Sequence, residues 1–349
     1  MPEAATRARV LVVALGGTIA STGSAGVVPR LGARDLIEAV PALGAVAEIE
    51  AVGLRQLPSG DLTLDDLVAL ARLIRDAAAR GVDGVVVTQG TDTMEESSFA
   101  LDLLVDVEAP VVVTGAMRNP TMASPDGPNN LLTAVRVAAS PVARGLGCVV
   151  VMNDEVHAAR FVRKTHTTGV GAFASPATGP LGWVSEGRVR VASRCAPLRR
   201  FGSVDGLDVA PVAIVACALG DDGRGLEALL STGYRGLVVE GFGAGHVPAA
   251  MVEVLARAAA AMPVVLTSRT GVGEVLSSTY GFVGSESDLL ARGLLSGGAL
   301  DARKARVALS LAIATTADAS AAVRAFEAVR DSLTFAGGPR PPEAAVDPS

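Results

Sequence analysis

The chain has 349 residues, 50% of them hydrophobic and 19% charged, enough apolar material for one large core or two ordinary ones. Thirty Lys and Arg against 36 Asp and Glu give a net charge of −6, which argues against an extended basic surface for nucleic acid. Three widely separated cysteines, Cys148, Cys195 and Cys217, exclude a disulfide framework or a cysteine-built metal cluster, and no apolar run is long enough to span a membrane.

The first apolar run, residues 10–15, stands behind Arg7 and Arg9 as an export signal would. It is short and leads straight into Gly16-Gly17-Thr18, so it reads as a first strand, and a cytoplasmic location is the expectation. Further Val-rich runs follow at 84–88, 111–114, 148–152, 212–216, 236–240 and 264–267. Between them, residues 63–80 repeat Leu64, Leu67, Leu70 and Leu73 at helical spacing, with Thr63 and Asp66 placed as an N-cap pair. Residues 95–105, 129–139 and 248–261 read as further helices. Apolar strands alternating with helices predict an α/β fold whose parallel sheet is covered on both faces. The pattern breaks at 196–211, where two prolines, two glycines and Arg199-Arg200 mark a boundary. The expected organisation is an N-terminal domain at 8–195, a linker at 196–211, a smaller α/β domain at 212–335 and a disordered tail at 336–349, rich in Pro, Gly and Ala.

Two threonines stand out. Thr18 leaves the first strand through Gly16-Gly17, and Thr91 leaves strand 84–88 through Gln89-Gly90, with Asp92 next. Open parallel sheets place ligand chemistry at such strand ends. Glycine lets bare backbone N–H groups approach a small substrate there. Hydroxyls from two such turns can converge on one reacting carbon.

Both blocks resemble signatures of the bacterial-type L-asparaginase family, amidohydrolases that convert asparagine to aspartate and ammonia. Val112-Val113-Thr114-Gly115-Ala116-Met117-Arg118 with Asp126-Gly127-Pro128-Asn129-Asn130 is similar to a third block, and Met152-Asn153-Asp154 with Arg163-Lys164-Thr165-His166-Thr167-Thr168 to a fourth. Pro58-Ser59-Gly60-Asp61 resembles the substrate loop, and Tyr280-Gly281-Phe282-Val283 and Arg303-Lys304-Ala305-Arg306 resemble the C-terminal half. The resemblance implies a flavodoxin-like larger N-terminal domain with a smaller α/β C-terminal one, and no cofactor or metal. It casts Thr18 as the nucleophile that forms an acyl-enzyme, and Thr91, Asp92 and Lys164 as the rest of the catalytic set. A lysine serves as a base only where burial and hydroxyl neighbours disfavour its ammonium form. Ser59, Gly60, Gly90, Gly115 and Ala116 are implied to bind substrate or oxyanion. Glu274 is implied to reach a neighbouring subunit's site, so a homo-oligomer, a tetramer or dimer, is expected, with no nucleic-acid or membrane partner.

The chain departs from that family in three places. The lid segment, residues 21–30, carries no tyrosine, and Gly60 stands where Gln or Glu is usual. His246 also stands where an asparagine is common. A glutaminase-asparaginase is the second enzymatic reading, since the two substrates differ by one methylene. A non-catalytic amino-acid-binding protein is the third. The Gly241–Gly245 run lacks the third glycine spacing of a dinucleotide turn, the three histidines show no metal-ligand spacing, and no G-x-S-x-G elbow occurs.

Overall fold

The computed structural model describes residues 7–22, 28–29, 31–202, 206 and 208–333. The greater part of the lid segment, four linker positions and the tail lie outside the described residues.

The strand Arg9–Gly16 lies one in from the edge of an eight-stranded sheet. Glu48–Leu57 pairs with it in parallel on one side and Gly84–Thr88 on the other, followed by Val111–Thr114 and Cys148–Met152, also parallel. Counted in chain order these five strands lie 2-1-3-4-5, the flavodoxin-like order, whose direction of winding reverses between the first strand and the third. The sequence patterns predicted a wholly parallel sheet. Three antiparallel strands, Glu155–Ala158, Gly182–Ser185 and Arg188–Val191, extend it past Cys148–Met152. A second sheet, Val212–Ala216, Gly236–Gly241, Val264–Ser268 and Leu295–Ser296, is parallel throughout and keeps its chain order.

Successive side chains on a strand face opposite ways, and the core follows that alternation. Leu11, Val13, Val85, Val87 and Val113 pack under the helices Leu64–Ala79 and Met94–Leu104, while Val10, Val12, Val86 and Val112 pack under Gly127–Ala138. The first of these cores continues into the second domain, where Ala305, Val307, Leu309 and Phe326 of the helices Ala302–Thr315 and Ala319–Asp331 join it. Phe99 and Phe326 are fully buried in it, each adding about 1.5–3 kcal/mol of apolar burial. A separate core beneath Val252–Ala261 covers the other face of the second sheet. One continuous core therefore fixes the C-terminal domain against the helix that begins beside Thr91.

Candidate active site

Four of the turns that feed the site follow parallel strands, after Arg9–Gly16, Glu48–Leu57, Gly84–Thr88 and Val111–Thr114; Lys164 comes from a short antiparallel ladder. Gly17 takes φ 84°, and Thr18 then opens a short 3-10 turn, Thr18–Ala20. A Cβ on Gly17 would overlap the Gly90 backbone nitrogen, so the Thr18 and Thr91 turns touch through bare glycine backbone. Gly17 N–H donates to Leu57 O at 3.2 Å, and Ser21 Oγ donates to Gly17 O at 2.6 Å, which pins the turn from both sides. This contact lies at the winding reversal, where open α/β sheets form their ligand crevice.

The Ser59 loop closes on the same place. Thr63 caps the helix Leu64–Ala79: Asp66 N–H donates to its hydroxyl at 3.2 Å, and Thr63 N–H donates to Asp66 Oδ2 at 2.9 Å. Burial pushes the Asp66 carboxyl up, but the Thr63 donors and the Arg55 guanidinium, at 2.6 Å, leave it below its usual value. The cap fixes the loop's exit. Its entry is tied to the Thr91 turn: Asp92 N–H donates to Ser59 Oγ at 3.2 Å, and Thr93 Oγ1 donates to Ser59 O at 2.9 Å. Ser59 is buried; Gly60 is exposed, and nothing lies within 4 Å of where its Cβ would stand.

Thr91 is buried, and its hydroxyl accepts from Lys164 Nζ at 2.8 Å. The same ammonium donates to Asp92 Oδ1 at 2.6 Å, although the Asp92 side chain is 78% exposed against 17% for Lys164. A neutral amine at that position would accept the Thr91 proton instead, so this contact can move a proton in either direction. On the opposite wall, Asp126 accepts Met117 N–H at 3.0 Å and Arg118 N–H at 2.8 Å, and Asn130 Nδ2 donates to Gly115 O at 3.0 Å. Gly115 and Ala116 are thereby fixed against the Thr91 turn; a Cβ on Gly115 would lie 2.6 Å from Gln89 O.

Thr18, Ser59, Gly60, Gly90, Thr91, Asp92, Lys164, Gly115 and Ala116 are thus gathered by touching turns. Glu274 is not. It is exposed, on a C-terminal-domain turn, and no hydrogen bond or ion pair joins it to these residues within the chain. Tyr280 packs edge-on against His246, at 4.9 Å between ring centres, and His246 Nε2 lies 3.1 Å from Glu286. Burial pushes the Glu286 carboxyl up, but the Tyr280 and Thr279 N–H groups and His246 hold it below its usual range. Glu95 is a buried site neighbour that motif reading overlooked: its carboxylate accepts Lys164 N–H at 2.7 Å. Among the described residues no three His, Cys, Asp or Glu side chains converge as metal ligands.

A buried hydroxyl paired with an amine, beside a second hydroxyl at the winding reversal of a doubly wound sheet, is the equipment of an α/β enzyme working by nucleophile and base. Residues 9–196 match the family described as Asparaginase, N-terminal, and residues 211–326 match the Glutaminase/Asparaginase C-terminal domain. The chain belongs to the asparaginase family. It is 39% identical to a probable periplasmic L-asparaginase of Haemophilus influenzae over 93% of this chain and 94% of that one, and 36% identical to L-asparaginase 2 of Escherichia coli over 88% and 90%. The structure of a probable cytoplasmic L-asparaginase from Campylobacter jejuni superimposes with a TM-score of 0.83 at 33% identity, covering 92% of this chain and 99% of that one.

Proposed function

We propose that the protein hydrolyses the side-chain amide of L-asparagine to L-aspartate and ammonia. The observation that carries this is the Lys164–Thr91 contact at 2.8 Å, on the turn that touches the Thr18 turn. Thr18 Oγ attacks the amide carbon, the C–N bond breaks, and ammonia leaves with the proton taken from the attacking hydroxyl. Water then adds to the ester carbon and returns a proton to Thr18. Lys164 receives and returns protons through Thr91. Backbone N–H groups at Gly90, Gly115 and Ala116 face the developing oxyanion, each worth on the order of 3 kcal/mol of barrier. Ser59 and Asp92 bind the substrate's carboxylate and ammonium. Ammonia release from L-asparagine by the purified protein tests the reading: turnover by wild type and none by Thr18→Ala supports it, and binding without turnover replaces it with a binding protein. L-glutamine serves as the second substrate, because one methylene separates the two by only about 1–3 kcal/mol.

Three further readings belong with it. The domain limits stay at 8–195 and 212–335, supported by the two separate sheets. The protein is a homo-oligomer, a tetramer or dimer, in which Glu274 serves a neighbouring site; Val272, Phe282 and Val283 of the same domain are each more than 50% exposed, apolar side chains that a partner subunit would cover. Its location is cytoplasmic, as the name of the Campylobacter jejuni structure has it and against that of the Haemophilus influenzae relative; cell fractionation decides between compartments.

A further inference from the structure

The strand that carries Lys164 is two residues long, Arg163–Lys164, and pairs only with Phe173–Ala174. So short a ladder leaves the lysine backbone underdetermined. Two charged side chains from distant parts of the chain grip it instead. Glu95, buried in the first turn of Met94–Leu104, accepts Lys164 N–H through Oε2 at 2.7 Å. Lys304, 1% exposed, donates from Nζ to Val162 O at 2.8 Å.

Lys304 is itself aimed. Asp301 caps the helix Ala302–Thr315, accepting the N–H groups of Arg303 and Lys304 at 3.0 Å each and the Lys304 ammonium at 3.1 Å. Burial pushes the Asp301 carboxyl up, but the Lys304 charge and N–H, with Arg163, bring it below its usual value. The next residue ties the two grips together, since the Arg303 guanidinium lies 3.8 Å from Glu95 Oε1. Between the gripped atoms, Arg163 lays its guanidinium over Gly271 of the C-terminal domain, where any Cβ would collide with it. A buried ammonium is expensive to desolvate, and an apolar side chain would fill the same space. Here that charge is directed at one carbonyl, two residues before Lys164.

We propose that Lys304 and Glu95 are positioning residues: they fix the backbone on both sides of Arg163 so that the Lys164 amine meets Thr91, and the C-terminal domain thereby sets the geometry of a site built on the N-terminal one. This rests on the reading of Lys164 as the base. Neither side chain touches the reacting atoms.

The test is steady-state kinetics on L-asparagine with the full chain, comparing Glu95→Ala, Glu95→Gln and Lys304→Met, with Lys164→Met as the reference. Glu95→Ala lowers kcat about tenfold or more and leaves KM within about twofold, because displacing a proton-transfer group harms the transition state rather than binding. Glu95→Gln stays within about threefold of wild type, since its amide oxygen still accepts Lys164 N–H. Lys304→Met falls with Glu95→Ala, and its melting curve shows it folded at the assay temperature; if it does not fold, the Glu95 pair decides alone. Equal turnover in Glu95→Ala and Glu95→Gln, or losses confined to KM, overturns the proposal. An inactive Lys164→Met beside a fully active Glu95→Ala sinks the positioning role alone. A fully active Lys164→Met removes the base reading, and the positioning role with it.

Discussion

Both sheets of this protein end Val-rich strands in glycine turns, yet the turns that carry the proposed nucleophile and its partners belong to only one of them. In the N-terminal sheet the winding reverses beside Arg9–Gly16, so the turns after that strand and after Gly84–Thr88 face a common crevice. The C-terminal sheet keeps its chain order and has no reversal. Its glycine turn after Gly236–Gly241 folds back on itself, with Phe242 N–H donating to His246 O at 2.8 Å, and a Cβ on Gly245 would lie 2.8 Å from Val275 Cγ1. That turn is closed at its base, at Gly241 and Gly245, while its tip at Gly243 stays open to solvent. The same local vocabulary yields chemistry or filler according to strand order, a property of topology rather than of the turn.

The sharpest way to break this contrast is to remove chemistry from the open turns. Lys164→Met lowers kcat for L-asparagine by at least about 10³, near 4 kcal/mol of barrier, in ammonia-release assays. A fall of less than about tenfold would mean the crevice is shaped by topology but not used as argued.

A second contrast sets glycine against glycine. Gly17→Ala forces a side chain into φ 84° and into the Gly90 backbone; a loss of about 3 kcal/mol in denaturant unfolding is expected, with turnover falling as the two turns separate. Gly243→Ala meets positive φ, here 40°, but open space, and costs about 1 kcal/mol with activity retained. Equal costs at the two positions would remove the distinction between a turn held in contact and a turn merely bent.

A third change adds function to the open crevice. Gly60 has room around it and no positive φ, so Gly60→Gln is accommodated and supplies a hydrogen bond to the substrate's amino end. We expect KM for L-asparagine to fall about fivefold, near 1 kcal/mol, with kcat little changed. An unchanged or higher KM would show that position 60 does not face the substrate.

These contrasts also show what could be read in the sequence. The seven Val-rich strands were legible because most lie buried on both faces and read as unbroken apolar runs. Thr63 and Asp66 were legible because a cap is local. Glu48–Leu57 escaped, since it is an edge strand carrying charge and Gly53, with nothing like an apolar run. Gly182–Ser185 and Arg188–Val191 escaped for a related reason: half-exposed antiparallel strands dilute their apolar content with arginine and serine. At the site, Thr18, Thr91 and Lys164 stood out through motif context. Lys304 lay inside a family-like block, but neither it nor Glu95 announced a link to Lys164, because Glu95 meets Lys164 across 69 positions of chain and Lys304 meets Val162 across 142, and only folding puts them there. Composition even points the wrong way for Lys304, as lysine is among the residues least often fully buried.

The smallest effect concerns the seam between the two domains. Glu96 lines a cleft with Thr93, Arg306 and Ser310, and burial raises its carboxyl above the ordinary 4.5, opposed by Arg306 and assisted by Glu95. A carboxyl raised on folding binds its proton more tightly in the native state than in the unfolded chain. Its contribution to stability is therefore fully present below 4.5 and is lost as pH rises through the elevated native value. Glu96→Gln keeps an acceptor and removes the charge, so it stabilises the protein at neutral pH and is neutral at pH near 4, by less than about 1 kcal/mol. Thermal melts of the two proteins across that range measure it. A variant less stable than wild type at neutral pH would mean that the Arg306 attraction outweighs desolvation, and that this seam is held by charge where the N-terminal crevice is held by backbone contact.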